Sequence, residues 1–160
     1  MTKPTCYIMS GIPGCGKSTW ARKFTAEHDN VVNVSRDEIR FSLLADNDDY
    51  FACEDEVVVI FYSEINEALA AGHDVIADAT HISERALRET MRRIDIDCDK
   101  VLVSFDTLLD TCIARNAHRD GRARVPEHVI RKMWFSKNKL NRAIQNNKIA
   151  IRVLHAGKDC

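Results

Sequence analysis

The chain has 160 residues, a formal net charge of −1, 45% hydrophobic and 29% charged residues, a composition that predicts one globular domain able to bury a core without staples. No apolar run approaches the roughly 18 residues of a membrane span, and Met1-Thr2-Lys3-Pro4 leads directly into an apolar stretch, so neither a membrane span nor a signal peptide is expected. The six cysteines are scattered without a C-x-x-C pair, which argues against a disulfide framework or zinc site and makes a reducing cytoplasm the expected compartment.

In chain order, strand and helix patterns alternate. Residues 6–9 read as a buried strand, 19–28 as a helix with Trp20, Ala21 and Phe24 on one face, and 31–34 as a second strand. A short helix over 36–44 precedes an acidic stretch, 46–56, which runs into a long helix over about 54–71 ended by Gly72. A third strand is predicted at 75–77. Ser83 suits the N-cap of a helix to about residue 94, with Ala86, Leu87, Thr90, Met91 and Ile94 on its apolar side. A fourth strand at 101–105, a helix over 108–117 and a polar segment over 118–125 follow. Pro126 fits the first turn of a helix reaching about residue 146. A fifth strand is predicted at 149–154, with 156–160 loose. Short strands alternating with helices give a parallel sheet covered on both faces. The six histidines form no H-x-x-x-H pair and read mostly as surface residues.

Between the first strand and the first helix lies Gly11-Ile12-Pro13-Gly14-Cys15-Gly16-Lys17-Ser18-Thr19. It matches G-x-x-x-x-G-K-[ST], the phosphate-binding loop, in the strand–loop–helix context that the chemistry requires. Glycines let backbone N–H groups curl around an anion, and the helix N-terminus adds its positive dipole end. Lys17 can then reach the β/γ-phosphates and the Ser18 hydroxyl can hold Mg²⁺. Cys15 sits among these groups. Such surroundings favour a thiolate that Mg-ATP would protect from alkylation; the alternative is a small buried residue filling the loop, the commoner fate of a free cysteine.

Charge is unevenly distributed. Residues 115–152 carry a net +9 and the rest −10, which suits either a basic face for a polyanion or ATP, or solvated helices laced with Lys and Arg. Ligands of open α/β sheets bind beyond the strand C-termini, and three polar clusters fall there. The first is 35–40, Ser-Arg-Asp-Glu-Ile-Arg, in which Asp37 and Arg40 share a helix face. A kinase needs a carboxylate to orient and deprotonate an attacking hydroxyl, although an ordinary surface ion pair has the same spacing. The second is Asp78-Ala79-Thr80-His81, with a strand-end carboxylate placed for Mg²⁺ or the acceptor, or for a local turn bond. The third, residues 115–124, holds Arg115, Arg119, Arg122 and Arg124 between two helices. It reads as a lid whose closure brings a guanidinium onto the transferring phosphoryl group, or as a solvated loop.

Together these motifs resemble the P-loop kinase domain of bacteriophage-type 5′-polynucleotide kinases. The resemblance covers nearly the whole chain and rests on 11–21, on 35–40, on 75–80 with Ser83-Glu84-Arg85, and on R-N-x-x-R with Val125-Pro126 and Val129-Ile130 in 115–130. It implies a single P-loop kinase domain over 1–160, adenylate-kinase-like, with a five-stranded parallel sheet, helices on both faces and an arginine-bearing lid. Asp37 then looks like the general base on the 5′-hydroxyl, and Arg40 like the arginine that holds the acceptor's phosphate. Lys17 and Ser18 match the P-loop lysine and Mg²⁺-linked serine. Arg119 looks like the lid arginine on the ATP phosphates, with Arg115 in support, and Asp78 matches an acceptor-side aspartate, with Thr80 beside it. ATP contacts are expected from Gly11, Gly14, Cys15, Gly16, Lys17, Ser18, Thr19, Arg115 and Arg119. His81 stands where many relatives have Asn. No residues remain for the separate phosphatase domain of the phage-type enzyme, so no 3′-phosphatase activity is expected.

The expected reaction is transfer of the ATP γ-phosphate, with Mg²⁺, to a 5′-OH end of RNA or DNA, without a membrane partner. A kinase of a small metabolite or nucleoside is the alternative, and an NTP-binding regulatory module a second. The presence of both Asp37 and Arg119 argues against the module, since binding alone requires neither.

Overall fold

The computed structural model describes residues 2–157, with the backbone alone at Arg122. Five strands, β1 (Thr5–Ser10), β2 (Val31–Ser35), β3 (Asp74–Asp78), β4 (Asp99–Phe105) and β5 (Arg152–Ala156), form one sheet in the order β2-β3-β1-β4-β5. Every neighbouring pair is parallel. Six helices connect them: α1 (Lys17–Glu27), α2 (Arg36–Leu43), α3 (Glu54–Ala70), α4 (Glu84–Arg93), α5 (Leu109–Ala117) and α6 (Glu127–Gln145). The expected α/β architecture is thus observed. The loop after the central strand opens in the middle of the sheet's C-terminal edge.

Both faces of the sheet are covered, so the inner strands are apolar on both sides. Cys6 and Ile8 of β1 join Val75, Ala77 and Leu102 in one core, against Phe61, Ile65 and Leu69 of α3. Met9 joins Ile76, Val103 and Phe105 in the other, against Ala21 of α1 and Cys112 of α5. Tyr7 packs beneath α1, where Trp20 and Phe24, one turn apart, stack at 4.7 Å. α6 contributes to both cores, Ile130 to the second and Leu140 to the first. Between them Lys137 is buried, and its ammonium donates to Ser104 Oγ (2.6 Å) and Asn141 Oδ1 (2.8 Å). Burial holds its pKa down to about 8.

Local signals placed most boundaries. Ser83 Oγ accepts from Ala86 N at 3.1 Å, as an N-cap should. α3 ends where Gly72 turns left-handed (φ 87°), with Gly72 N–H donating to Leu69 O and His73 N–H to Ala68 O, the Schellman closure. β1, β3 and β4 extend one or two residues beyond the sequence reading, and two further boundaries differ for a local reason. α1 begins at Lys17, inside the motif, because Gly16 (φ 102°) serves as its N-cap. β5 begins at Arg152, after a left-handed Asn147 and a buried Ile149 that packs on the helices instead of pairing. Ala156, expected to be loose, pairs with Phe105; the rest of that expectation, 158–160, lies outside the described residues. The five described cysteines are free thiols. No described helix is long and apolar enough to cross a membrane.

His81 is the largest departure from the sequence reading, which placed the histidines mostly on the surface. It is 3% exposed and left-handed (φ 39°). Its Nδ1 lies 2.7 Å from Met9 O, which can only accept, so Nδ1 carries the proton. Nε2, 2.9 Å from Thr90 Oγ1, then accepts from that hydroxyl, and Thr90 in turn accepts from Tyr62 at 2.8 Å. Ser10 Oγ donates to His81 O at 2.7 Å. The residue therefore latches the exit of β3 to the end of β1. Burial pushes the His81 pKa down to about 4, outweighing the bonds to backbone carbonyls. The unfolded imidazole titrates near 6.5, so the unfolded chain takes up the proton first. Stability from this group is full above pH 6.5 and is lost as pH falls toward 4. Urea midpoints between pH 7.5 and 4.5 should therefore drop more steeply for wild type than for His81→Asn, by up to about 1.4 kcal/mol per pH unit. Parallel profiles would refute a buried neutral imidazole.

Candidate active site

The loop from Gly11 to Lys17 is built by directing its carbonyls toward protein donors. Lys17 Nζ folds back onto Gly11 O (3.0 Å) and Ile12 O (3.2 Å). Arg115, in the last turn of α5, donates from Nη1 to Gly14 O at 3.2 Å. Thr107 Oγ1 donates to Cys15 O at 2.8 Å. Gly11 N–H is held by Thr80 O at 2.9 Å, which ties the loop to the segment after β3. A Cβ at Gly14 (φ 83°) would lie 2.5 Å from Cys112 O, so α5 packs against the loop only because glycine is there. α1 has no side-chain cap, and the first-turn N–H groups of any α-helix lack intrahelical partners. Ser18 and Thr19 lie exposed in that first turn. Cys15 is 1% exposed, with Sγ 3.7 Å from Lys17 Nζ and occupying the space that a Cβ at Gly11 would need. Of the two readings of this thiol, the geometry is that of the loop-filling residue.

On the other side of the loop, β2 and β3 end together, with Ser35 opposite Asp78. Ser35 Oγ caps α2 by accepting from Glu38 N at 3.2 Å, which fixes Asp37 in the first turn. Asp78 is partly buried; burial raises its carboxyl pKa, Lys17 opposes that shift, and Asp37 and Glu38 add to it. The two carboxylates and the loop lysine therefore share one electrostatic neighbourhood. Thr80 acts here through its carbonyl.

Asp37 and Arg40 do come together, but not as a pair of exposed groups. The Arg40 side chain is 5% exposed and that of Asp37 63%. Arg40 Nη1 donates to Asp37 Oδ1 (2.5 Å) and to the Tyr50 hydroxyl (2.8 Å). Nη2 and Nε donate to the Glu54 carboxylate at 2.8–3.2 Å. Each of the three guanidinium nitrogens thus donates within the protein. Tyr50 adds a hydrogen bond to the same Asp37 Oδ1 at 2.7 Å, and its ring lies 4.3 Å from the guanidinium carbon. Arg40 was expected to meet the acceptor's phosphate. Here its nitrogens face Asp37, Tyr50 and Glu54. What the arrangement does is hold Asp37 by one oxygen and leave the other toward solvent. Tyr50 and Glu54 were missed in the sequence; they lie 13 and 14 residues from the groups they hold, within a stretch that read only as acidic.

The segment between α5 and α6 carries the remaining arginines. Asn116, 4% exposed, donates to Val125 O (2.6 Å) and accepts from Val125 N (2.9 Å), closing the segment at its base. Arg119 and Arg124 are exposed beyond it, around a short 3-10 turn at Gly121–Ala123; the side chain of Arg122 lies outside the described residues. Among the described residues, no hydrogen bond or ion pair joins Arg119 to the phosphate-binding loop. Arg115 does reach it.

A phosphate-binding loop on the central strand of a 2-3-1-4-5 parallel sheet, with carboxylates beyond the next two strands, defines a domain of the P-loop kinase class. The chain belongs to the AAA domain family, whose model matches residues 7–138. It is similar to a chain in the structure of the Pnkp1/Rnl/Hen1 RNA repair complex, at 25% identity and a TM-score of 0.82, over 95% of this chain and 48% of that one. In another structure of a Pnkp1/Rnl/Hen1 complex the values are 29%, 0.66, 76% and 41%. A fungal RNA kinase shares the fold at 14% identity and a TM-score of 0.60, over 97% of this chain and 75% of that one. The chain spans about half the length of the first of these relatives. The fold is that of a polynucleotide-kinase-type P-loop domain.

The buried guanidinium makes Glu54 a structural partner of the site. Removing one partner of a buried pair typically costs about 3–5 kcal/mol. The Glu54 side chain is 32% exposed, so water offsets part of that loss, and Glu54→Gln should lower stability by about 1–3 kcal/mol. Arg40→Met combined with Glu54→Leu should recover part of it. Urea unfolding checks both, and an unchanged midpoint for Glu54→Gln would show that the carboxylate does not hold Arg40.

Proposed function

We propose that this domain transfers the γ-phosphate of ATP to the 5′-hydroxyl of a nucleic acid end, RNA or DNA. The observation that carries the reading is the pairing of a phosphate-binding loop with a carboxylate, Asp37, anchored through one oxygen by Arg40 and Tyr50. The similarity to chains of an RNA repair complex supports a nucleic acid acceptor and favours RNA.

The residues present fit a nucleoside triphosphate with Mg²⁺. The loop's carbonyls are engaged, its helix N-terminus is uncapped, and a hydroxyl, Ser18, stands exposed in the first turn. Mg²⁺ on Ser18 would supply charge neutralisation between the β- and γ-phosphates. The first-turn N–H groups of α1 bind the phosphates, and the Lys17 ammonium exchanges its loop carbonyls for phosphate oxygens. The free oxygen of Asp37 orients the acceptor hydroxyl and takes its proton. Arg40 acts by holding Asp37. Asp78 stands on the acceptor side, with Thr80 fixing the loop. Arg115 steadies the loop, and Arg119 stabilises the equatorial charge when the 118–125 segment closes as a lid.

A second reading is a kinase of a nucleoside or small metabolite. It draws on the surface over residues 41–56, which has six carboxylates and no Lys or Arg and so offers no track for a long polyanion. One experiment separates the readings: γ-labelled ATP with 5′-OH RNA and DNA oligonucleotides, nucleosides, gluconate and shikimate. Label on oligonucleotides at a kcat/KM well above that for the bare nucleoside supports the polynucleotide reading; the reverse order overturns it.

Two substitutions test the roles. Lys17→Ala should lower turnover by roughly 10²–10³-fold with the fold intact, as loss of one preorganised charge stabiliser does; activity above a tenth of wild type would refute the assignment. Asp37→Asn should lower kcat by about 10²–10⁴-fold while leaving ATP affinity nearly unchanged. Loss of ATP affinity with kcat retained would move Asp37 to the nucleotide site and leave Asp78 as the base.

A further inference from the structure

Beside Asp37 the surface is aromatic. Phe41, in the last turn of α2, is 39% exposed, and Phe51, just before α3, is 64% exposed. Both pack edge-on against Tyr50, with ring centroids 6.1 and 4.8 Å away and interplanar angles of 69° and 88°. Tyr50 is in turn bonded to Asp37. The three rings are thus one group, attached directly to the carboxylate that meets the acceptor. Neither Phe41 nor Phe51 belongs to either core cluster, so the interior has no need of them. Exposed apolar groups gathered beside a functional carboxylate call for an occupant.

The charge of the surroundings selects that occupant. The surface over residues 41–56 is unfavourable to phosphate, since five carboxylates are exposed there, Asp46, Asp48, Asp49, Asp55 and Glu56, with no Lys or Arg. Arg40, the guanidinium beneath it, is paired with Asp37 and Glu54. A neutral planar ring suffers no such repulsion and finds aromatic faces to stack on. In a 5′-OH nucleic acid, the group that is planar, neutral and carried on the same nucleotide as the attacking hydroxyl is the terminal base.

We propose that Phe41, Tyr50 and Phe51 form the subsite for the terminal nucleobase of the acceptor. This rests on the kinase reading above and adds how the acceptor is recognised. The base stacks against the exposed rings while its own 5′-hydroxyl meets the free oxygen of Asp37. Recognition is by π-face, so it tolerates any of the four bases.

The test uses the full chain, wild type and Phe41→Ala/Phe51→Ala, with two 5′-OH RNA oligonucleotides identical except that one lacks its terminal base. Stacking of one base on an aromatic side chain is lost at a cost of roughly ten-fold in affinity or more. Wild type should therefore phosphorylate the intact oligonucleotide with a kcat/KM roughly ten-fold above that of the abasic one. The double variant should lose that advantage, treating the two alike, with the KM for ATP unchanged. The wild-type comparison stands whether or not the variant folds. Equal wild-type rates on the two oligonucleotides, or discrimination that survives in a folded double variant, would overturn the subsite and leave the kinase reading intact. Failure of wild type to label either oligonucleotide would overturn both.

Discussion

The requirement that organises this domain is the orientation of peptide groups in a single loop. An anion can be held by backbone N–H groups only if the neighbouring carbonyls are turned elsewhere, and a carbonyl turned inward needs a donor of its own. Here the donors come from distant parts of the chain: Arg115 from the end of α5, Thr107 from the turn after β4, and Lys17 from the loop's own helix. Thr80 supplies the matching acceptor for Gly11 N–H from beyond β3. The sheet order brings these groups to one edge, because β1 lies between β3 and β4. Fold and site are thus one construction, and Thr107 and Arg115 hold the shape of the loop from outside it.

The acceptor side follows a different logic. Arg40 is nearly inaccessible, so its charge is tolerable only with full pairing. Glu54 accepts from its Nε and Nη2, and Asp37 and Tyr50 from Nη1. The consequence is directional. Asp37 gives one oxygen to this cluster, an asymmetry that an isolated surface carboxylate would lack. The N-cap at Ser35 sets the helix start and hence which residue occupies the first turn. A serine hydroxyl thereby determines where the carboxylate stands.

What could be read from the sequence were the features whose signal is local. The glycine spacing around Lys17, the capping serine at 83 and the glycine stop at 72 each follow from backbone geometry within a few residues. Alternating apolar runs placed all five strands, with the register of the last one missed, because Ile149 looks the same whether it pairs in a strand or plugs a core. What was not legible were contacts made beyond a residue's own helical turn. His81 meets Met9 and Thr90, Arg40 meets Glu54 and Tyr50, and Asn116 meets Val125. Nothing in the neighbourhood of a single histidine or asparagine encodes such a meeting. Asp37 was found for its position after a strand, but the half of its coordination that gives it direction was invisible.

Asn116 has a mechanical meaning beyond its place at the foot of the arginine segment. By pairing both its amide atoms with the backbone of Val125, it does what a short stretch of sheet would do, and it isolates residues 117–124 as a closed excursion from the body of the protein. The entropy of closing such an excursion grows only slowly with its length. The length of the segment is therefore cheap to change while α5 and α6 keep their packing. The clasp separates the part of the domain whose geometry must stay fixed from the part whose span is adjustable.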